Sequence, residues 1–427
     1  MKQMFKYALC TAFMLSATSA FAGGYQLNDY SVTGLGRSYA GAGVVGDDYS
    51  AIAYNPAGMT LKKESGIQTG MTMINLRADV DALGADHHKK MDFWAPIPHF
   101  FGQYNVNDKL FLGLGVYAPF GLKTQYDADW FASDTAILSK LDVIDTNVSA
   151  AYKVTDKLSV GASLILRYIY GHMTNSISLG GGKSDFELDG WTKTAALGIM
   201  YEPTENTRFG LSWRLRSTQQ VKGDHEISGN MAHLAMPGMV PNLNETATGW
   251  ASPALPETFT LSAYHRYKDF GFSGTARWTH WSQSFPEFTM RSNSTLFNML
   301  TTTGMGAASG ITNNQKTSKY NYDNSWTLTV GLDYYYDENW TFRCGTGWDE
   351  SPTHNDSTRT IRIPDNDRFW LSAGASYVQE NWQIDVGYTH MFGRTGKALE
   401  ESDPSSVKVK YKNLQSYLLG AQFQYKF

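Results

Sequence analysis

Gly23–Thr60 reads GGYQLNDYSVTGLGRSYAGAGVVGDDYSAIAYNPAGMT. The stretch is rich in Gly, Ala and Ser, has no long apolar face, and ends in Asn55-Pro56-Ala57. A segment of this size and composition buries too little apolar surface to offset its own ordering entropy. It needs a container. The rest of the chain carries the pattern of one: a closed membrane β-barrel with this segment as a plug in its lumen.

Upstream, residues 1–22 have the form of a secretory signal peptide. Lys2 and Lys6 make the positive start, Tyr7–Leu15 is an apolar run too short to span a membrane, and Ala20-Phe21-Ala22 offers a small-x-small cleavage site. The mature chain is expected to begin at Gly23. Losing Lys2 and Lys6 takes the formal net charge from −4 to about −6. That balance excludes nucleic acid as a partner, because phosphate binding needs clustered Lys and Arg. Cys344 is the one cysteine left, so neither an intramolecular disulfide nor a thiolate metal cluster is expected. Beyond residue 22 no apolar window reaches the ~18 residues of a transmembrane helix. Aromatics nevertheless make up 14% of an exported chain with 40 glycines, the composition of an outer-membrane barrel.

Beyond Thr60 the hydrophobic pattern has period two and is interrupted by six matched polar turns: Val106–Lys109, Val154–Lys157, Glu202–Asn206, Tyr267–Asp269, Tyr336–Asn339 and Val378–Asn381. Longer connections lie between them, near residues 81–95, 120–139, 173–189, 222–256, 289–319, 350–366 and 394–409. Six short turns and seven long loops require fourteen antiparallel strands in residues 61–427. Outer-membrane barrels keep short turns and both chain ends on the periplasmic side, which sets the expected orientation.

Alternation assigns the faces. Leu158, Val160, Ala162, Leu164, Leu166 and Tyr168 oppose Ser159, Gly161, Ser163 and Arg167. Phe209, Leu211, Trp213 and Leu215 oppose Arg208, Gly210, Ser212, Arg214 and Arg216. Phe369 and Leu371 oppose Trp370 and Ser372. The apolar sets are expected to face lipid and the polar sets the lumen. The last strand alternates Tyr417, Leu419, Ala421, Phe423 and Tyr425 and closes on Phe427, the terminal aromatic by which the barrel-assembly machinery is expected to take the chain. A soluble β-sandwich would alternate too, but it would lack the matched turns and this ending.

Inside the plug, Gly41-Ala42-Gly43-Val44-Val45-Gly46 matches GxGxxG without the strand–helix context that gives the pattern its meaning, so these glycines read as tight-turn residues. Arg37 shares the segment with Asp47 and Asp48. An internal salt bridge is the default reading and a ligand role the alternative.

Taken together, these residues resemble the FadL family of outer-membrane long-chain fatty acid and hydrophobic-compound transporters. The likeness is carried by Tyr25-Gln26-Leu27-Asn28, Gly34–Gly41 and Asn55-Pro56-Ala57 in the plug. It continues through Ala118-Pro119-Phe120-Gly121-Leu122, Tyr334–Arg343 and Ile363–Ser372. The resemblance implies a fourteen-stranded barrel closed by an N-terminal hatch, in which Tyr25, Asn55, Pro56 and Ala57 hold or gate the plug. It also implies passive diffusion without cofactor or metal: capture by outer loops, an apolar pocket, and sideways exit beside a distorted third strand at Pro119, Phe120 and Gly121. Pro119 lacks an N–H for the ladder, which suits a kink, but the strand could equally end there.

A fatty acid needs an apolar pocket and a positive or hydrogen-bonding group for its carboxylate. Among Arg167, Arg214, Arg216, Arg277 and Arg343, the first two are the leading candidates, being near the outer ends of their strands. Other arginines are expected to pair with acids such as Asp333 and Asp385. Met236 and Met239 in the long loop 222–257, and Phe297 in loop 289–319, are candidate tail contacts, although such loops also simply cap a barrel mouth. The Gly-rich loop 173–189 is short, so any surface groove is expected to be reduced or moved towards loop 289–319. No GxSxG, HExxH or Walker pattern is present. A monomeric channel for hydrophobic ligands in outer-membrane lipid is therefore the leading expectation. A general porin, an outer-membrane lipid hydrolase and a receptor or adhesin role are the alternatives.

Overall fold

The computed structural model describes residues 23–177, 182–230, 242–304, 306–307, 310–400 and 407–427. Fourteen antiparallel strands form a closed barrel. They are β1 Gly66–Ala82, β2 His88–Asn105, β3 Leu110–Gln125, β4 Leu138–Thr155, β5 Leu158–Ile177, β6 Gly182–Thr204 and β7 Thr207–Arg214. The second half comprises β8 Thr258–Tyr267, β9 Phe270–Thr279, β10 Ser325–Tyr335, β11 Trp340–Asp349, β12 Arg368–Gln379, β13 Trp382–Gly393 and β14 Val409–Lys426. Closure comes from β1 on β14, with Gly66 opposite Lys426 and Ala82 opposite Val409.

The alternation assigns the faces of the wall. Leu164 is 76% exposed while its neighbour Ser163 is 2% exposed. Phe369, Leu371, Phe423 and Tyr425 likewise point outward, and Ser372 and Gln424 inward. Arg216 is a correction. It is exposed, because the strand breaks at Leu215–Arg216 before a short two-residue strand at Ser217–Thr218.

Two connections read as loops are tall hairpins instead. β5 and β6 run for 20 and 23 residues, about twice the ~9–11 residues a membrane strand needs. Val221–Asn230 pairs with Asn242–Ala251 in a ribbon beyond β7 and β8. Polar sequence does not end a ladder outside the bilayer, since pairing satisfies the backbone N–H and C=O groups there as well.

The hatch fills the lumen with three short helical elements: α1 Val32–Leu35, α2 Ala51–Tyr54 and a 3-10 turn at Pro56–Leu61. Gly41, Gly43 and Gly46 take φ of +71°, +73° and +79°, the tight turns that the fingerprint-like run encodes. The Asn55 side chain accepts from Ala57 N at 3.1 Å and donates to Ile199 O of the wall at 3.1 Å. The wall gives way to the plug through missing side chains. A Cβ at Gly198 would stand 2.0 Å from Asn55 Oδ1, and one at Gly345 would stand 2.4 Å from the Arg37 carbonyl carbon.

The hatch threads the lumen from end to end. Gly23 N donates to Asp349 at 2.7 Å, at the long-connection end of β11, and Gln103 of β2 donates to Met59 O at 3.0 Å near the short turns. Phe427 closes the chain on Ser65 O at the short-turn rim. Gly23 thus lies towards the long-connection end of the barrel and Phe427 at the short-turn rim.

Candidate ligand cavity and wall opening

β3 is where the wall departs from a regular barrel. It pairs with β2 only from Phe111 to Val116, opposite Asn105 to Phe100, whereas β2 pairs with β1 along nearly its full length. The register with β4 slips between Tyr117 and Phe120, at Ala118-Pro119. Proline interrupts the ladder because it has no N–H to donate, and the extra residue forms a bulge. The strand continues to Gln125, so Pro119 marks a kink and not an end. Past the kink the hatch takes over from β2 as partner. Leu27 N donates to Pro119 O at 2.9 Å, Gly121 N donates to Tyr25 O at 2.9 Å, and Gln26 bridges to Phe120. The upper parts of β2 and β3 are left as a seam without ladder pairing. Lys123 and Phe93 flank it, with the Lys123 Nζ 5.4 Å from the ring centroid.

Beside the seam lies a small cavity of about 80 Å³, lined by Tyr25 of the hatch, Leu122 of β3, Ile169, Phe186, Phe285 and Ile363, among others. The Tyr25 ring meets Trp281 edge-on at 4.8 Å and Phe285 at 5.4 Å. A larger space of about 270 Å³ lies above it, under helix α3 (Thr295–Thr302), which contributes Leu296, Phe297 and Leu300. The two share Met173, Phe186, Phe288, Met290, Tyr320 and Arg362, and so adjoin one another.

Arg362 sits at that junction. Its loop is held together by the Arg359 guanidinium, which donates to Asp365 O at 2.7 Å, Lys397 O at 2.8 Å and Thr353 O at 2.9 Å. Thr124 of β3 donates to the Arg362 carbonyl at 2.8 Å, and the guanidinium donates to Ser139 Oγ at 3.1 Å and Asn175 Oδ1 at 3.4 Å. Lys140, also on the cavity wall, pairs with Asp142 at 2.7 Å. The Tyr25 hydroxyl is buried with no hydrogen-bond partner. Asp365 in the same loop accepts from Gly24 N and Ser351, yet burial pushes its carboxyl up from 3.8 to about 6.

The predicted residues are distributed as follows. Tyr25 lines the inner cavity and Phe297 the outer one, and Pro119, Phe120 and Gly121 make the kink. Asn55, Pro56 and Ala57 pack against Gly161 and Gly198 at the opposite end of the hatch. Arg167 and Arg214 line neither cavity. Both are committed to the Asp145 carboxylate, Arg167 at 2.7 and 2.9 Å and Arg214 at 2.8 Å, and Arg214 also holds Ala53 O of the hatch at 2.9 Å. Met236 and Met239 lie outside the described residues. Arg37 makes the expected bond to Asp47 at 2.6 Å and adds one to Asp333 of the wall at 3.2 Å. Arg343 joins the same two acids, at 3.1 and 3.3 Å. Arg362 was not among the candidates. Its only signal in the sequence is a single basic residue between Ile361 and Ile363, just before Pro364.

A lumen filled by its own N-terminal segment, beside a strand pair whose ladder stops part-way, defines a plugged outer-membrane transport barrel. The chain belongs to the outer membrane protein transport family (OMPP1/FadL/TodX), whose model matches residues 13–427. It is 28% identical to the long-chain fatty acid transport protein of Escherichia coli K12 over 99% of this chain and 98% of that one. It is 26% identical to outer membrane protein P1 of Haemophilus influenzae, over 92% and 91%. Among solved structures, a Pseudomonas aeruginosa FadL homologue superposes with TM-score 0.80 at 23% identity, covering 95% of this chain and all of that one. The Pseudomonas putida toluene transporter TodX does so with TM-score 0.68 at 16% identity, over 95% and 100%.

Proposed function

We propose that the protein passes long-chain fatty acids or similar apolar molecules across the outer membrane by passive diffusion. The outer space under α3 captures the molecule, the inner cavity holds it, and the seam between β2 and β3 releases it sideways into the bilayer. In this reading the long connections face the cell exterior. The short turns and Phe427 lie at the periplasmic rim, and the chain inserts as a monomer through its C-terminal strand. The observation that carries the proposal is adjacency: Leu122 lines the cavity and belongs to the stretch of β3 that β2 leaves unpaired.

Energetics favour a sideways route. Each methylene returned to water costs ~0.8 kcal/mol, so a long tail leaves an apolar cavity readily only into another apolar phase. The hatch meanwhile fills the straight path with buried, hydrogen-bonded groups. Arg362 at the junction of the two spaces favours a carboxylate as the polar end of the cargo. A second reading, neutral aromatic hydrocarbons, draws on the ring cluster of Tyr25, Trp281, Phe285 and Tyr322.

The deciding experiment is mass spectrometry of what co-purifies, followed by binding of palmitate, methyl palmitate and toluene to the purified barrel. Preference for palmitate supports the first reading and preference for toluene the second. A barrel that binds none of the three overturns both.

A further inference from the structure

The long-connection end carries a second feature, on its outer surface. Val409 and Tyr411 of β14 are buried inward, so Lys408, Lys410 and Lys412 share the opposite, outward face. Lys397, in the short strand Gly396–Ala398, lies directly opposite Lys410. Like charges paired across a ladder repel, and on the other side of Lys410 the residue opposite it is Asp81 of β1. Asp81 of β1 contacts Lys412 at 2.5 Å and His88 at 2.6 Å, and Asp79 accepts from Asn413 at 2.6 Å. Lys90 of β2, opposite Asp79, extends the face. Among the described residues, Lys397, Lys408 and Lys410 have no carboxylate within ion-pair distance. Glu401 and Asp403 of the adjoining loop lie outside them.

The face stands directly above the lipid band. Arg77 lies over the Tyr417 ring at 5.3 Å, and Trp94, Phe392 and Leu419 are exposed around it. Lys412 is five positions beyond Tyr417, which at ~3.4 Å per residue and a strand tilt of ~40° raises it roughly 10–15 Å above the aromatic girdle. The rim is not basic throughout. Glu187, Asp189, Asp224 and Glu226 are exposed on β6 and the ribbon beside it.

We propose that Lys397, Lys408, Lys410 and Lys412 bind the phosphate groups of a phosphorylated glycolipid in the outer leaflet, held against β14, β1 and β2 as a boundary lipid. The inference rests on the orientation proposed above. Long lysine stems lying along the wall with their ammonium groups raised to headgroup level match such a partner, and the attraction falls with salt.

The test is native mass spectrometry of the full-length protein in detergent with EDTA present, titrated with bisphosphorylated lipid A and with the same lipid dephosphorylated. Wild type is expected to bind the phosphorylated form at least tenfold more tightly. Lys397→Gln/Lys408→Gln/Lys410→Gln/Lys412→Gln is expected to lose that preference, and Glu187→Gln/Asp224→Asn to keep it. The double variant Lys397→Gln/Lys410→Gln serves if the quadruple one fails to give a heat-modifiable barrel. Equal binding of both lipids, or an unchanged preference in the lysine variants, overturns the proposal. Orientation is read separately, with Lys410→Cys in a Cys344→Ser background and an impermeant maleimide on intact cells. Labelling places the face outside, while its absence overturns the orientation and with it the outer-leaflet assignment.

Discussion

Leu27 donates its backbone N–H to the Pro119 carbonyl at 2.9 Å, so the third strand of the barrel is partnered above its kink by the plug and not by β2. The plug and the interrupted ladder are thus one structure. The segment that fills the lumen also pairs with the kinked strand where β2 does not.

That coupling predicts what straightening the strand will do. Pro119→Ala with Gly121→Val restores an N–H and adds a β-branched side chain, which favours continued pairing with β2. The double variant should assemble, judged by its heat-dependent gel mobility, while uptake of radiolabelled oleate falls at least tenfold. Normal uptake would remove the seam from the pathway.

Arg37, Arg343, Asp47 and Asp333 form a buried network that ties the hatch to the wall. Removing one partner of such a network leaves a buried charge uncompensated, typically costing ~3–5 kcal/mol. Arg37→Ala should loosen the hatch before it unfolds the barrel. The expected signs are protease cleavage within residues 23–60 and a steady ionic conductance in planar bilayers. Wild type should show neither, whereas a general porin would conduct from the start.

Arg362→Gln removes the charge at the junction while leaving a polar side chain that can still donate. A charge-assisted bond to a carboxylate is worth ~1.5–3 kcal/mol. Palmitate affinity should therefore fall about ten- to a hundredfold, with methyl palmitate nearly unchanged, as read by fluorescence displacement. Equal losses for both would make Arg362 a structural residue of the loop.

Most of the barrel was legible in the sequence because period two, short polar turns and a terminal aromatic are local signals, each set by a few adjacent residues. The hatch was legible for the opposite reason: its composition could not support it alone. Side-chain pairing was harder to read. Arg167 and Arg214 look like free lumen cations until the β4–β5 register places Asp145 opposite Arg167. Arg362 lies in what reads as an outer loop, and the bonds that bring that loop to the cavity, from Thr124 and Tyr126 of the β3 end to its backbone carbonyls, come from residues far away in sequence. Gly161 and Gly210 were assigned to a polar face, but their role is to leave room for Ala57 and Val44 of a plug more than a hundred residues away in sequence.

Asp365 gives a pH dependence with a definite sign. Its carboxyl is raised to about 6 in the fold against 3.8 ordinarily, so the folded state binds this proton more tightly than the unfolded chain. Its contribution to stability is greatest at acid pH, falls as pH rises from about 4 to about 6, and stays lower above that. Asp365→Asn should raise the thermal midpoint at pH 7, by an amount equivalent to at most about 3 kcal/mol, and change little at pH 4. An equal shift at both values would contradict a buried, costly charge.

The central claim is that cargo leaves through the seam flanked by Phe93 and Lys123. Phe93→Cys/Lys123→Cys in a Cys344→Ser background, closed with a short cleavable bis-maleimide, tests it most directly through oleate uptake by intact cells. Uptake should stop when the seam is stapled and return when the linker is cut. Uptake that continues unchanged through a fully cross-linked barrel would show that the molecule leaves by another route.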